Sequence, residues 1–440
     1  MGDHKNTIIA IVLSLIVVVG WQYFVGYPQM ERQREQALLK QQEQAQTQPG
    51  ATQPNAAQPG ATPGATPGSA PGSTATPPPV PGAAAPAVST ASREAVIAAS
   101  PRVAIATPTL RGSIDLKGGR IDDLSLERYR ETTDPNSPAI VLFSPSGAPD
   151  AYYAEFGWVA AAGTSAAMPG PDTVWKQEGS GALGVDHPVT LTYDNGAGLM
   201  FRRTIAVDER YLFTLKDEVA NKSASPVTLF PYALISRHGT PQTLGYYILH
   251  EGLIGVLGNE GLQEYTYKKI EDKKNVDFDV TNGWLGITDK YWAATLLPDT
   301  NARLKAHFST GMLGATKTYQ TDYLLDAQTI APGATGAADA RLFAGAKEVA
   351  VINDYEKQLN LNRFDLLIDW GWFYFITKPM FIVIDYFYHL VGNFGIAILI
   401  VTVLIKAAFF PLANKSYASM AKMKAVQPQM QALRARYPDD

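Results

Sequence analysis

One lysine stands where a lysine is expensive. Residues 396–412 are apolar except for Lys406, and a cation inside a membrane span costs roughly 2.5–3.5 kcal/mol on insertion scales. Thr402 lies one helical turn earlier on the same face, and Phe409 and Ala413 continue it. Two readings offset the cost. In one, the side chain snorkels to the headgroups, since Leu412 is only about 9 Å further along a helix that rises 1.5 Å per residue. In the other, the ammonium faces a wet, protein-lined cavity open to the cytoplasm. Such a cavity attracts acidic or polar parts of another chain without making bonds. The residues alone do not separate the two. The remaining chemistry is sparse. Of six histidines, His4 and His389 fall at membrane edges, and His187, His238, His250 and His307 are scattered. His250-Glu251 and Asp277-Phe278-Asp279 could be fragments of a metal site, but they read as surface loops. Cysteine is absent, which excludes disulfides, thiolate catalysis and Cys-based zinc. No nucleophile elbow, P-loop or dinucleotide fingerprint occurs. Neither an enzyme nor a cofactor or metal is expected.

The elements that must carry Lys406 follow from composition and pattern. The 440 residues hold 37 basic and 41 acidic side chains for a net charge of -4. That is no polycation, so DNA is not an expected partner. Residues 7–26 run TIIAIVLSLIVVVGWQYFVG without a charge, about the 20 residues that cross roughly 30 Å of hydrocarbon. Trp21, Tyr23, Phe24 and Tyr27 gather at the far end, as interfacial aromatics do. A cleaved signal peptide would end in small residues instead, so an uncleaved anchor is expected. Residues 27–98 read as a disordered periplasmic tether. It is Gln-rich at first; then Pro, Gly, Ala, Thr and Gln take over, and no charge appears between Glu43 and Arg93.

Residues 99–350 turn β-rich. Asn195-Gly196 between two alternating runs is a strong hairpin signal. Turn clusters such as Lys117-Gly118-Gly119 separate the other runs, and Gly118-Gly119 reads as a turn. Short strands with little helical period imply a large two-sheet sandwich. Residues 364–390 crowd aromatics, among them Trp370, Trp372, Phe375, Phe381 and Tyr386. Asp369, Lys378 and Asp385 break up that run, and Pro379 interrupts any helix there. An amphipathic interfacial helix fits better than a span, with an amphipathic core helix as the alternative. Residues 395–412 form the second span. Lys415, Lys422, Lys424, Arg434 and Arg436 then precede any acidic residue, which places the tail 413–440 in the cytoplasm. Two spans then put residues 1–6 in the cytoplasm too, and the β region on the far side. In the tail, Tyr417, Met420, Met423, Met430 and Leu433 form a rough apolar stripe between basic residues. It suits packing on a partner helix, or docking to a ribosome or lipid headgroups through Met420, Lys422, Met423 and Lys424.

The order of these parts resembles the YidC/Oxa/Alb family of membrane protein insertases, in its Gram-negative form. The run 364–372 (FDLLIDWGW) carries the resemblance, with Phe375-Ile376-Thr377-Lys378-Pro379, Gly392-Asn393-Phe394-Gly395 and Phe410-Pro411-Leu412. Ser419-Met420-Ala421-Lys422-Met423 and Gln427-Pro428 follow in order, and Gly118-Gly119-Arg120-Ile121 and Gly283-Trp284 look like family strands. The resemblance covers all but the low-complexity tether. It implies a periplasmic β-supersandwich, mainly β in class, with transmembrane and interfacial α-helices and the start of a cytoplasmic helical hairpin. It implies assistance to insertion and folding of inner-membrane proteins, alone or with the Sec translocon (SecYEG, SecDF). Nascent membrane proteins, the lipid bilayer and ribosomes are the further partners. In the family, an intramembrane arginine in a hydrophilic groove receives the substrate's polar segment. That position falls on Lys406, which keeps the charge but lacks the planar fork. The family pattern continues past Asp440, so the expectation is a fragment whose groove needs further helices as walls. A membrane-tethered, mutarotase-like carbohydrate-binding protein is the alternative. It needs His238, His250 and His307 to converge with carboxylates.

Overall fold

Alternation of buried and exposed side chains builds nearly everything between residues 102 and 346. The structure is a computed structural model that describes residue 80 and residues 91–164, 166–242 and 249–436. The first expected span (7–26), residues 1–6, most of the tether and the last residues of the tail lie outside the described residues.

A short helix, α1 (Arg93–Ala98), capped by the Ser92 hydroxyl, precedes the strands. The strands are β1 (Arg102–Ala106), β2 (Leu110–Asp115), β3 (Arg120–Arg130), β4 (Ala139–Phe143), β5 (Tyr152–Ala160) and β6 (Lys176–Glu178). Then come β7 (Val189–Asp194), β8 (Leu199–Val207), β9 (Leu212–Asn221), β10 (Val227–His238), β11 (Gly252–Leu257) and β12 (Gly261–Thr266). Helix α2 (Tyr267–Lys273) leads to β13 (Asn275–Thr281), β14 (Gly283–Thr288), β15 (Trp292–Leu296), β16 (Arg303–Leu313), β17 (Thr316–Leu325), β18 (Gln328–Ile330) and β19 (Thr335–Ala346). A ten-stranded sheet runs β1-β2-β3-β5-β10-β17-β16-β13, with β4 on β3 and β18 on β10. A nine-stranded sheet runs β12-β11-β14-β15-β19-β9-β8-β7-β6. The strand pairings within both sheets are antiparallel. The protein is therefore mainly β, and three further helices follow β19: α3 (Val349–Gln358), α4 (Tyr374–Val391) and α5 (Phe394–Arg436).

The hairpin expected at Asn195-Gly196 joins β7 to β8. The Asn195 side chain accepts from the N–H groups of Ala197 and Leu199, and Gly196 takes φ 67. Two expectations shift. The folded domain starts before residue 99, because α1 is ordered and Arg93 pairs with Asp123 of β3. Asp277 and Asp279 are not in a loop. They sit in β13, at the sheet edge, where Asp279 binds Arg303 of β16 through two nitrogens at 2.9 Å each.

One interaction joins the sheets electrostatically. Arg203 and Asp217 are register partners on β8 and β9 and both point into the core. Arg203 donates to both carboxylate oxygens at 2.7 Å. Its remaining donors cross to the other sheet, reaching the carbonyls of Gly119 at 2.9 Å and Phe156 at 2.6 Å. Trp175 stacks on the guanidinium at 5.1 Å. Gly119 is required there: its φ is +65, and a Cβ would meet Trp175 Nε1 at 3.0 Å and an Arg203 nitrogen at 3.2 Å. Removing one partner strands a buried charge, which costs about 3–5 kcal/mol. Arg203→Met is expected to lose that much in urea unfolding. Arg203→Met with Asp217→Leu is expected to recover most of it, because the orphaned carboxylate goes too. A single variant no worse than the double would refute this account.

Candidate functional site

The attachment of the membrane helices begins inside the sandwich. Phe364 and Leu367, in a single 3-10 turn (Phe364–Leu367), are buried. Phe364 meets Trp284 edge-on at 5.2 Å and Phe343 at 5.8 Å, and Trp284 donates to the Asn362 carbonyl at 3.0 Å. Asn360 and Arg363 both adopt left-handed backbone at φ 51, so the chain turns sharply on either side of Leu361. The expected interfacial helix therefore does not start at residue 364. Residues 364–367 belong to the domain core, Gly371 breaks the backbone at φ 71, and α4 starts at Tyr374.

Three side chains fasten α4 to this anchor. Asp365 receives Lys378 Nζ at 2.7 Å, and its carbonyl accepts from Trp370 Nε1 at 3.1 Å. Thr377 donates its hydroxyl to the Trp370 carbonyl at 2.7 Å. Asp369 grips both sides: one oxygen takes the N–H of Gly371, the other that of His250, each at 2.8 Å. Pro379 does not interrupt the helix. It is the sixth residue of α4, where a missing N–H forfeits a single bond near an end already short of partners.

The junction is also electrostatically tense. His250, expected in a surface loop, is part-buried with its Nε2 at 3.0 Å from the Leu253 carbonyl. Burial pushes its imidazole down to about 4. Lys347 donates to Thr288 at 2.9 Å, and burial pushes it down to about 8 despite Asp289, Asp369 and Glu251 nearby. Arg237 and Asp289 close the cluster at 2.6 Å. Between about pH 6.5 and 4 the unfolded chain holds a proton on His250 that the folded chain refuses, so stability falls as pH falls through that window. Between about pH 8 and 10.5 the unfolded chain keeps the Lys347 proton that the folded chain has lost, so stability rises with pH there. In thermal unfolding from pH 4 to 6.5, His250→Gln is expected to flatten the rise of stability with pH. His238, also pushed down to about 4 by burial, adds to that rise, and Asp122, pushed up to about 7 by burial, opposes it. An unchanged slope would remove His250 from this role.

Beyond α4 the chain becomes apolar and exposed. Gly392 ends α4 in left-handed backbone, its N–H on the Tyr388 carbonyl. Asn393 then caps α5 through its side chain to the Ile396 N–H at 3.1 Å. Tyr388 meets Phe394 at 5.9 Å, so the two helices pack at this turn. Ala397 and Val401 are the buried residues of α5. Leu399, Val403, Phe409, Phe410 and Leu412 are each more than 60% exposed, an apolar surface far beyond what water tolerates. Among the described residues, one helix is long and apolar enough to cross a membrane, Phe394–Leu433. Span and tail are one continuous helix of 43 residues. Lys406 is exposed on it and has no hydrogen bond or ion pair among the described residues. Thr402 spends its hydroxyl proton on the Ile398 carbonyl at 2.8 Å. Trp372 and Phe375 are exposed, whereas Trp370 and Lys378 are held at the junction. Met420, Lys422, Met423 and Lys424 are exposed further along α5.

Sequence reasoning missed the grouping of His250, Lys347, Asp289 and Asp369. Its one signal was Asp369 inside an otherwise apolar and aromatic run. The histidines needed for a carbohydrate enzyme do not converge. His307 lies beside Asp322 and Asp277 on the ten-stranded sheet. His238 is two strands away and offset in register, roughly 16 Å distant at 3.4 Å per residue and 4.8 Å per strand. His250 lies in the loop that leads into β11 of the other sheet. Among the described residues, no group of three or more metal-ligating side chains occurs.

Fold and site define a class: a large β-sandwich fastened to an apolar helix pair, one helix of which is long and apolar enough to cross a membrane. Residues 102–383 match the YidC periplasmic domain, and residues 386–440 match the 60Kd inner membrane protein family. A membrane protein insertase YidC from Nitrobacter hamburgensis is 62% identical over 449 residues, covering 100% of this chain and 70% of that protein. One from Bradyrhizobium diazoefficiens is 60% identical over 454 residues, covering 100% and 71%. Among solved structures, a galactose mutarotase related enzyme from Lactobacillus acidophilus is similar at a TM-score of 0.40 and 9% identity, over 56% of this chain and 97% of that one, a likeness too slight to bear on function. The chain belongs to the YidC family of membrane protein insertases.

Proposed function

We propose that this protein works as an insertase and chaperone for inner-membrane proteins, and that Lys406 is its electrostatic receptor. The carrying observation is a cation without a partner among the described residues, on the helix apolar enough to span. Lys406 lies twelve residues after Phe394, about 18 Å into roughly 30 Å of hydrocarbon. A polar segment of a nascent membrane protein meets this charge and the Thr402 oxygen instead of lipid, which lowers the barrier to its entry. No bond is made or broken, and no cofactor is needed. The protein acts alone or beside the Sec translocon, SecYEG with SecDF.

In this reading the sandwich is periplasmic, and residues 1–6 and the tail 413–440 are cytoplasmic. The basic residues Lys415, Lys422 and Lys424 support that orientation. Trp370, Trp372 and Phe375 seat the start of α4 at the interface, with Lys378 and Pro379 at its turn toward the bilayer. Met420, Lys422, Met423 and Lys424 offer an adaptable, cationic contact to a ribosome.

Substitutions at Lys406 in the chromosomal gene test the receptor. Lys406→Arg is expected to keep insertion of a small Sec-independent substrate near normal, and Lys406→Glu to cut it at least tenfold. Equal insertion by both variants would make Lys406 a snorkelling residue.

A further inference from the structure

One end of the sandwich brings together exposed charge, exposed apolar side chains and the exit toward α4. The strand registers define that end. Gly252 of β11 pairs with Thr266 of β12 and with Thr288 of β14. Thr288 pairs with Ala293 of β15, and Trp292 with Ala346 of β19. On the ten-stranded sheet, Arg237 near the end of β10 binds Asp289. Beyond its register partner Tyr319 comes the turn of the β16–β17 hairpin. The chain leaves the domain at this same end, because Asp369 holds the His250 N–H just before β11.

Helix α2 follows β12 directly. The Thr266 hydroxyl caps it, and Tyr267 and Ile270 are buried beneath it. Its outer side is basic: Lys268, Lys269, Lys273 and Lys274 are exposed. The acids among them are Glu271 and Asp272, and Glu271 already binds Lys317 of β17 at 2.7 Å. The helix stands beside the root of α4, since Lys269 acts electrostatically on His250, and Asp369 on Glu264 of β12. Met312, next to the β16–β17 turn, is 64% exposed, and Tyr291, between β14 and β15, is 56% exposed. Among the described residues these are the two most exposed large apolar side chains of the sandwich. Lys290 lies over the Tyr291 ring at 4.8 Å.

We propose that this end of the sandwich rests on the bilayer surface, with the lysines of α2 on anionic phospholipid headgroups and Met312 and Tyr291 set among them. The proposal rests on the reading of α5 as a span. Continuity of the chain favours it. Asp369 is fixed to the sandwich, and only residues 370–373 separate it from α4, roughly 16–18 Å even if fully extended. The bond from Lys378 to Asp365 shortens that tie. Where the root of α4 meets the membrane, this end of the sandwich must follow. Charge favours it as well. Anionic headgroups attract lysines held beside a span, and α2 with Lys317 presents five lysines against two carboxylates. The exposed apolar pair fits the same surface: tyrosine prefers the headgroup layer, and methionine adapts to an irregular apolar contact. A face turned to bulk water has no use for either.

The absence of cysteine makes the test clean. The full chain is reconstituted in vesicles of phosphatidylglycerol and phosphatidylcholine, with one fluorophore on Met312→Cys. A lipid carrying a headgroup nitroxide is expected to quench it at least threefold more than a fluorophore on Ala224→Cys. Ala224 is exposed in the β9–β10 turn at the opposite end, roughly 35–40 Å away along β10. Vesicles of phosphatidylcholine alone are expected to lower the Met312 quenching at least twofold, and so is the triple variant Lys268→Gln, Lys273→Gln, Lys274→Gln. A third fluorophore on Leu399→Cys, 65% exposed on α5, reports the span through a nitroxide in the acyl chains. Quenching at Leu399 with Met312 no closer to the headgroups than Ala224 would overturn the proposal alone. Equal Met312 quenching in both lipids would remove the lysines from it, a result that needs no variant to fold. A Leu399 probe beyond reach of the acyl-chain nitroxide would overturn the spanning reading, and this proposal with it.

Discussion

A water-soluble sandwich and an apolar helix pair must be held in one molecule, and the stretch from Phe364 to Lys378 holds them. It works because it uses both kinds of force in sequence. Phe364 is buried against Trp284 and Phe343, and Leu367 is buried beside it in the same turn, which fixes where the chain leaves the domain. Asp365, Asp369 and Lys378 then fix its direction, through charge-assisted bonds that lie part-buried. An apolar contact alone would leave the exit free to pivot. Ion pairs alone, placed in water, would be worth little. Together they set the attitude of α4, and through the Gly392-Asn393 turn that of the helix bearing Lys406.

The same logic recurs inside the sandwich. Apolar packing accounts for two sheets facing each other, but it is indifferent to small slides between them. Arg203 is not indifferent: its donors satisfy one carboxylate on its own sheet and two carbonyls on the other. Such a group adds registration more than net stability. It couples the position of Gly119, at the β2–β3 turn, to β8 and β9.

Family membership and the geometry of the histidines bear on function from different sides. The relatives are insertases over the whole length of this chain. The sandwich, meanwhile, keeps His238, His250 and His307 apart and uses them structurally: one beside Arg120 and Tyr153, one at the junction, one in an ion-paired ladder with Asp322.

Much of this was legible in the residues. Asn195-Gly196 pointed to a hairpin because glycine takes left-handed backbone without strain and the Asn195 side chain accepts from N–H groups of the turn. The charge-free run before Arg93 excluded a core of its own. Lys406 stood out because a cation in an apolar run has no local remedy. These are properties of short windows, where local backbone preference or transfer energy decides. What the sequence did not determine were the contacts between windows. Asp369 reaches His250, 119 residues away, and Trp284 reaches Asn362, 78 residues away. No local pattern encodes those pairings; they exist because the sheets bring distant segments within a few ångströms. The lysine could be found in the sequence, but how its helix is held could be decided only by the tertiary structure, since that depends on a junction assembled from four separate stretches of chain.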